Sequence, residues 1–335
     1  MIPTVTLAAA ATLDLAGAWR FQLDRENAGS TEHWFACPLT AAIELPGSLP
    51  GRGIGDPVTV DTRWTGSIFD RSYFTAPEYA PYRQPGNIKV PFWLQPGTHY
   101  VGAAWFQRDI VIPAAWAGRR VALTLERPHW KTTVWLDTRE IGSNDALSVP
   151  HDYDLGTAVA PGRHVLTIRV DNTLVPDIGE NSHSVTDHTQ GNWNGIVGRI
   201  ELTATAPAWI DNLQVYPHLA SNSVLVKGRV GGAGLLPPNI AVKIEAALVH
   251  APGGPTVSVA LRGDGSFEAE YPLGAGARRW DEFDPALYQL TAALGNGEAK
   301  TVTIGLREMG SAGRQVTIIG WPLFLRGTLV CAAFP

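Results

Sequence analysis

The chain has 335 residues, 45% hydrophobic and 17% charged, with a formal net charge of −5. That length is more than one ordinary domain uses and is enough to bury two cores. The absence of any Lys/Arg run argues against a nucleic-acid partner, and no apolar stretch reaches the roughly 18 residues of a membrane helix.

From the N-terminus, "MIPTVTLAAAATLDL" has neither a charged start nor a long apolar run, so it does not read as an intact signal peptide. The Ala run before Thr12 reads as what remains near a cleavage site. On that reading the parent protein is exported, to a periplasm or outside the cell. The two cysteines, Cys37 and Cys331, make no disulfide framework and are expected as buried thiols. "GRGIG" (51–55) is glycine-rich, but no helix pattern follows it, so it is not a phosphate loop. Residues 54–96 are rich in Tyr, Pro and Arg and read as a long loop insertion. Within and just after it, Phe92 and Trp93 stand near Tyr82 and Tyr100, as a packed loop or a binding platform.

Further on, period-two patterns replace helical ones. In "RVALTL", Val121, Leu123 and Leu125 share one face. In "HVLTIRV", Leu166, Ile168 and Val170 point inward, with Thr167 and Arg169 towards water. In "RIELTA", Ile200 and Leu202 alternate with Glu201 and Thr203. Short strands between Gly, Pro, Asn and Asp turns predict a β-sandwich. "VPHDYDLG" gathers His151, Asp152, Tyr153 and Asp154, but matches no zinc spacing. Asp171, Asp177 and Glu180 could be calcium ligands, although Asp-Asn pairs at strand ends usually cap turns.

A boundary falls near "TATAPAWIDN". Beyond Pro207 come "SVLVKGRV", "AVKIEAALV", "PTVSVAL", "SFEAEYPL", "YQLTAAL" and "TVTIGL". This is the rhythm of an immunoglobulin-like sandwich without the Cys…Trp…Cys pattern of antibody domains. From Met309 a hairpin is expected: Gln315 to Ile319, a turn at Gly320, then Pro322 to Leu325. The apolar run Leu323–Leu325 reads by itself as a buried strand. The 12 Trp divide between core and stacking platforms for sugar rings.

Several of these segments, in this order, resemble glycoside hydrolase family 2, the β-galactosidase and β-glucuronidase family. "LDLAGAWRFQLD" resembles its first strand, and "HYVGAAWFQRDIVIPAAWAGRRVALTLERPHWKTTVWLDTREIGSN" the central strands of its jelly roll. "GRHVLTIRVDNT" resembles "G–N–L–V–V–D–N", and "NWNGIVGRIEL" resembles the closing strand "GI–R–V–L". "RRWDEFDPALYQLTAAL" resembles "LWSPENPNLYTL". "TIGLRE" and "GWPLFLRGT" resemble "FGFRE" and "GKPIFLRGVN", where the family's catalytic barrel begins.

The resemblance implies an all-β chain in three parts. A sugar-binding jelly roll occupies 1–205 and an immunoglobulin-like sandwich 206–308. Residues 309–335 would be the first strand of a (β/α)₈ barrel, an apolar edge open to self-association. It implies a retaining β-glycosidase, β-galactosidase-like, whose two catalytic Glu match no position here. No catalytic residue, metal site or cofactor is therefore assigned, and no hydrolase activity is expected of the chain itself.

The implied partner is carbohydrate, a β-galactoside or related glycoside. The loop "ENSHSVTDHTQGNWNGIVG" (180–198) supplies the sugar-binding candidates Asp187, His188, Gln190, Asn192, Trp193 and Asn194. They mix donors, acceptors and one aromatic, as sugar hydroxyls require. Asp187 is the nearest match to an acidic residue of the family that touches sugar or a monovalent ion. The competing view makes Asn194-Gly195 a hairpin turn and Trp193 core. Two other functions stay open. One is a self-sufficient hydrolase drawing on Asp177, Glu180 or Asp187 with His183 or His188. The other is a stand-alone carbohydrate-binding module.

Overall fold

The computed structural model describes residues 11–173, 182, 185–189, 191–237 and 240–328. Among these the regular elements are strands and short 3₁₀ turns, with no α-helix and so none long and apolar enough to cross a membrane. The chain divides into two compact units, one running Thr12–Ala204 and the other starting at Thr205.

The first unit begins with β1 (Ala11–Asp14), β2 (Gly17–Asp24), β3 (Ala41–Leu45) and β4 (Gly47–Ser48). Two short strands follow, β5 (Asp56–Pro57) and β6 (Thr98–His99). The long strands are β7 (Ala103–Ile112), β8 (Arg120–His129) and β9 (Lys131–Leu136). Then come β10 (Arg139–Asn144), β11 (His151–Gly156), β12 (Gly162–Asp171) and β13 (Gly195–Thr205). One sheet has the order β10-β9-β12-β7-β2-β3, and the other β1-β13-β8-β11 with β4 added to β13. β12 lies antiparallel to both β7 and β9. Phe21 and Phe106 are directly opposed across β2 and β7, with ring centroids 5.8 Å apart, an aromatic cross-strand pair of the kind that fixes register.

Alternation in β8 and β13 follows the sequence, with Val121, Leu123, Leu125, Ile200 and Leu202 buried. β12 departs from it, because Thr167 and Arg169 are buried as well. Their face of the six-stranded sheet is covered by the segment after β2, where Trp34, Phe35 and Leu39 pack on Trp105 and Trp135. Asp24 anchors that cover by accepting from the backbone N–H of Ala28 and Gly29 and from the Trp105 indole. Beneath it, Gln107 donates to Cys37 carbonyl and Thr167 Oγ1, and Arg169 pairs with Asn27 and Asp171. The polar positions are buried because each has a partner. Cys37 lies on the outer side of this cover and is exposed, which corrects the buried-thiol expectation; Cys331 lies outside the described residues. Five of the 12 Trp are buried core residues (Trp19, Trp105, Trp116, Trp130 and Trp135), so the excess of Trp is not explained by the core alone.

Residues 54–96, read as an insertion, have a small core of their own. Ile68, Tyr73 and Val90 are buried there, with Trp64, Tyr79 and Phe92 packed against them. Phe92 is therefore part of the packing, whereas Trp93 is 76% exposed.

The second unit contains β14 (Trp209–His218), β15 (Ser223–Gly231), β16 (Ala241–Leu248) and β17 (Val257–Ala260). It continues with β18 (Ser266–Pro272), β19 (Leu287–Ala293) and β20 (Ala299–Gly305). Its sheets run β14-β15-β18 and β17-β16-β19-β20. The sequence patterns single out six of these seven strands; β14 is the addition. Val224, Val226, Val242, Ile244, Phe267 and Leu290 fill the core, each worth roughly 1.5–3 kcal/mol of apolar burial.

The chain then forms β21 (Met309–Ala312), β22 (Gln315–Ile318) and β23 (Trp321–Pro322). Ile319 and Gly320 between the last two both have positive φ, 46° and 85°, the geometry of a tight two-residue hairpin turn. The outgoing strand is shorter than expected. Phe324 and Leu325 are 83% and 79% exposed rather than buried, and pairing with β22 ends with the Leu323 N–H donating to the Val316 carbonyl.

Gly195 does not sit in a hairpin turn. It opens β13, opposite Ser48 of β4, with φ +139°. A Cβ there would lie 2.4 Å from the Gly47 carbonyl oxygen. Gly195→Ala combines a disfavoured φ with a backbone clash and is expected to cost roughly 2–4 kcal/mol. Urea denaturation monitored by Trp fluorescence measures this; an unchanged midpoint would contradict the placement.

Candidate functional site

The loop before β13 carries its polar residues mostly inward. Asp187 is almost fully buried. Its Oδ2 accepts the Thr65 N–H at 2.7 Å and lies 3.0 Å from His99 Nε2, while Oδ1 accepts the Asn192 N–H at 2.9 Å. The Asp187 N–H in turn donates to the Thr65 carbonyl. Both carboxylate oxygens are thus committed to the protein, the usual condition for burying a charge.

Asn192 Nδ2 donates to Thr65 Oγ1 and to the Asn172 carbonyl, at 2.8 and 2.9 Å. Asn194 Nδ2 donates to the carbonyls of Gly102 and Val170. Asn172 closes the network by accepting from the Gly102 N–H and donating to the Tyr100 carbonyl. The structure therefore brings Asp187, Asn192 and Asn194 together beneath the surface, where they hold the chain at Thr65 and at 99–102.

The other candidates lie nearer the rim. His188 is part-exposed, its ring edge-on to Phe69 at 4.4 Å. Trp193 is half-buried and meets the His129 ring edge-on at 4.8 Å. Gln190, Asp177, Glu180 and His183 lie outside the described residues.

The residues that this network positions line a cavity of about 820 Å³, among them Thr65, His99 and Tyr100, together with Arg25, Asp56, Asp61, Arg63 and Trp64. Trp64 is held between Phe92 and His99, at centroid distances of 5.1 and 4.8 Å. Arg25 grips Asp56 through two bonds of 2.8 Å and lies over the Tyr100 ring. Tyr100 donates its hydroxyl to the Ala103 carbonyl, and burial pushes its pKa up to about 12. Arg63 is exposed and has no ion pair among the described residues.

A fixed indole, a free guanidinium and several hydroxyl and carboxylate acceptors suit a polyhydroxylated ligand. The Arg25 guanidinium holds the Asp56 carboxyl below the usual carboxylate range.

The possible metal ligands have structural partners. His151 is buried, with Nδ1 2.6 Å from Thr132 Oγ1 and Nε2 2.7 Å from the Ala146 carbonyl. That pattern places the proton on Nε2, and burial lowers its pKa. Asp171 caps a turn by accepting the Thr173 N–H. No cluster of three or more His, Cys, Asp or Glu that could hold a metal occurs among the described residues.

Residues 13–206 match the model for the glycosyl hydrolases family 2 sugar binding domain. The chain belongs to glycosyl hydrolase family 2. It is similar to human β-glucuronidase, 24% identical in an alignment of 263 residues that covers 68% of this chain and 39% of that protein. It is also similar to a Paenibacillus borealis β-glucuronidase, 25% identical over 162 residues, 48% of this chain and 21% of the relative. A solved β-glucuronidase from an uncultured Clostridium superposes with a TM-score of 0.67 at 18% identity, covering 95% of this chain and 48% of that one. The Ruminococcus gnavus β-glucuronidase in complex with uronic isofagomine gives the same TM-score at 17% identity, over 96% of this chain and 48% of its own. These similarities show a shared fold, and the chain spans about half the length of those solved relatives. All four are named β-glucuronidases, so the β-galactosidase part of the resemblance gains no support from them.

Sequence reasoning missed Arg25, Asp56, Asp61, Arg63, Trp64, Thr65 and His99 as lining residues. The available signal was the Arg63-Trp64 pair, a cation beside a platform within a family-atypical segment.

His129 offers a pH test of the loop's packing. Neither of its ring nitrogens has a hydrogen-bond partner among the described residues, and burial pushes its pKa down from 6.5 to about 4. A pKa depressed in the folded state favours the neutral native form. Its contribution is complete above pH 6.5 and is lost as pH falls towards 4, by about 3 kcal/mol in all. Urea midpoints at pH 7 and pH 4.5 should therefore differ less in His129→Phe than in the parent; equal pH dependence in the two would refute this.

Proposed function

We propose that the chain is the sugar-binding and scaffold portion of a β-glucuronidase-like family 2 glycosidase, and that its ligand occupies the cavity beside Trp64. The observation that carries this reading is the pre-formed cavity itself. Its indole is locked by packing, and its wall is fixed by the buried Asp187 network. His188 and Trp193, nearer the rim, are the members of the sequence-derived set best placed to add contacts; Asp187, Asn192 and Asn194 support the wall. The names of the relatives make a β-glucuronide the proposed ligand in place of a β-galactoside.

The three-part plan, 1–205, 206–308 and 309–335, belongs to this proposal, with the last part as the opening strand of a barrel. Exposed Trp321, Phe324 and Leu325 support its second element, association through an uncovered apolar terminus. Hydrolysis by this chain alone is not proposed, because neither catalytic Glu implied by the family resemblance matches a position in it.

Calorimetry with p-nitrophenyl β-glucuronide should show weak binding, on the order of millimolar, that is reduced in Arg63→Ala. An absorbance assay of the same mixture should show no p-nitrophenol release. Absence of binding would refute the sugar site. Turnover that survives purification and disappears in Asp56→Asn would refute the non-hydrolytic reading.

A further inference from the structure

The cavity does not end at Trp64. A second cavity of about 260 Å³ lies alongside it, and Thr62 and Trp64 line both. The second is walled by Ile68, Tyr73 and Phe74 and carries Arg71. The first falls within the range of about 300–1,000 Å³ typical of small-molecule sites. The second is just below it, with room for part of a ligand.

Each cavity carries an exposed arginine, Arg63 in the first and Arg71 in the second. Neither has a hydrogen bond or ion pair among the described residues. Other arginines of the same unit are engaged: Arg25 by Asp56, Arg83 by the Tyr73 carbonyl and Arg169 by Asp171. Two unpaired guanidiniums on neighbouring pockets that share an indole wall match a ligand with repeated anionic groups along a chain of sugar rings. Guanidinium is suited to carboxylate by its planar fork of donors, and an indole face to a ring's apolar side.

We propose that the two cavities form one cleft for an acidic oligosaccharide, with Arg63 and Arg71 each receiving a carboxylate of a uronate unit on either side of Trp64. This rests on the sugar-binding reading above and changes its ligand from a single terminal glycoside to a chain of at least two acidic units. Much of the cleft's lining, Arg63, Trp64 and Arg71 included, comes from the segment 54–96.

The test is calorimetry at low salt, where exposed charge pairs are least screened, with tetragalacturonate, its fully methyl-esterified form and monomeric galacturonate as probes. The tetramer should bind about tenfold more tightly than either the ester or the monomer. Arg71→Ala should lower the tetramer-to-monomer affinity ratio about five- to tenfold, and Arg63→Ala should weaken all acidic probes. Both side chains are exposed and unpaired, so an unchanged thermal midpoint should confirm that the variants fold. Equal affinity for tetramer and monomer, equal affinity for acid and ester, or an unchanged ratio in Arg71→Ala would each overturn the cleft while leaving the sugar site standing. Failure of every saccharide to bind would overturn both.

Discussion

A single buried carboxylate organises the cavity-bearing end of the first unit. Asp187 joins three segments far apart in sequence: the loop before β13, the insertion at Thr65 and strand β6 at His99. A charge removed from water must be matched by hydrogen bonds or it destabilises the fold. The matching groups here are two backbone N–H donors and an imidazole. Because each donor has one position that satisfies the carboxylate, the network sets where Thr65 and His99 stand, and they are part of the cavity wall.

The same logic recurs at Asp24, which binds a long connection to the outer face of the six-stranded sheet through two backbone N–H groups and the Trp105 indole. Sandwich sheets ordinarily leave one face to water. Here the loops over that face bring their own apolar residues and their own polar anchors. Rigidity follows from this: Trp64 has aromatic neighbours on two sides, and Arg25 is held by Asp56. A ligand meeting such a wall loses little to protein ordering, which is where preorganisation adds affinity.

Strand identity was the most legible property of the sequence. β13 and β16 alternate as their letters suggest, because their outer faces meet solvent. β12 does not, since Thr167 and Arg169 look like water-facing residues and are covered by a segment more than 120 positions earlier, a tertiary fact that no local pattern encodes. The Asp187 loop shows the same limit. Its composition correctly marks a place where polar groups converge, but inward and outward polar residues look alike in sequence. The partners that decide the matter, Thr65 and His99, lie 122 and 88 positions away. Asn194-Gly195 has the letters of a hairpin and serves instead as a close approach between β13 and β4. Trp64 and Arg63 are hard to place from sequence because the segment around them has no regular period.

The central claim is that Asp187 acts by building the wall rather than by touching the ligand. Urea unfolding and saccharide calorimetry on Asp187→Asn test it together. An amide leaves a buried N–H donor facing a donor, so the account predicts a loss of about 1–3 kcal/mol of stability, with weaker saccharide binding accompanying that loss. An unfolding midpoint equal to that of the parent protein, with saccharide binding abolished, would contradict it and make Asp187 a direct ligand.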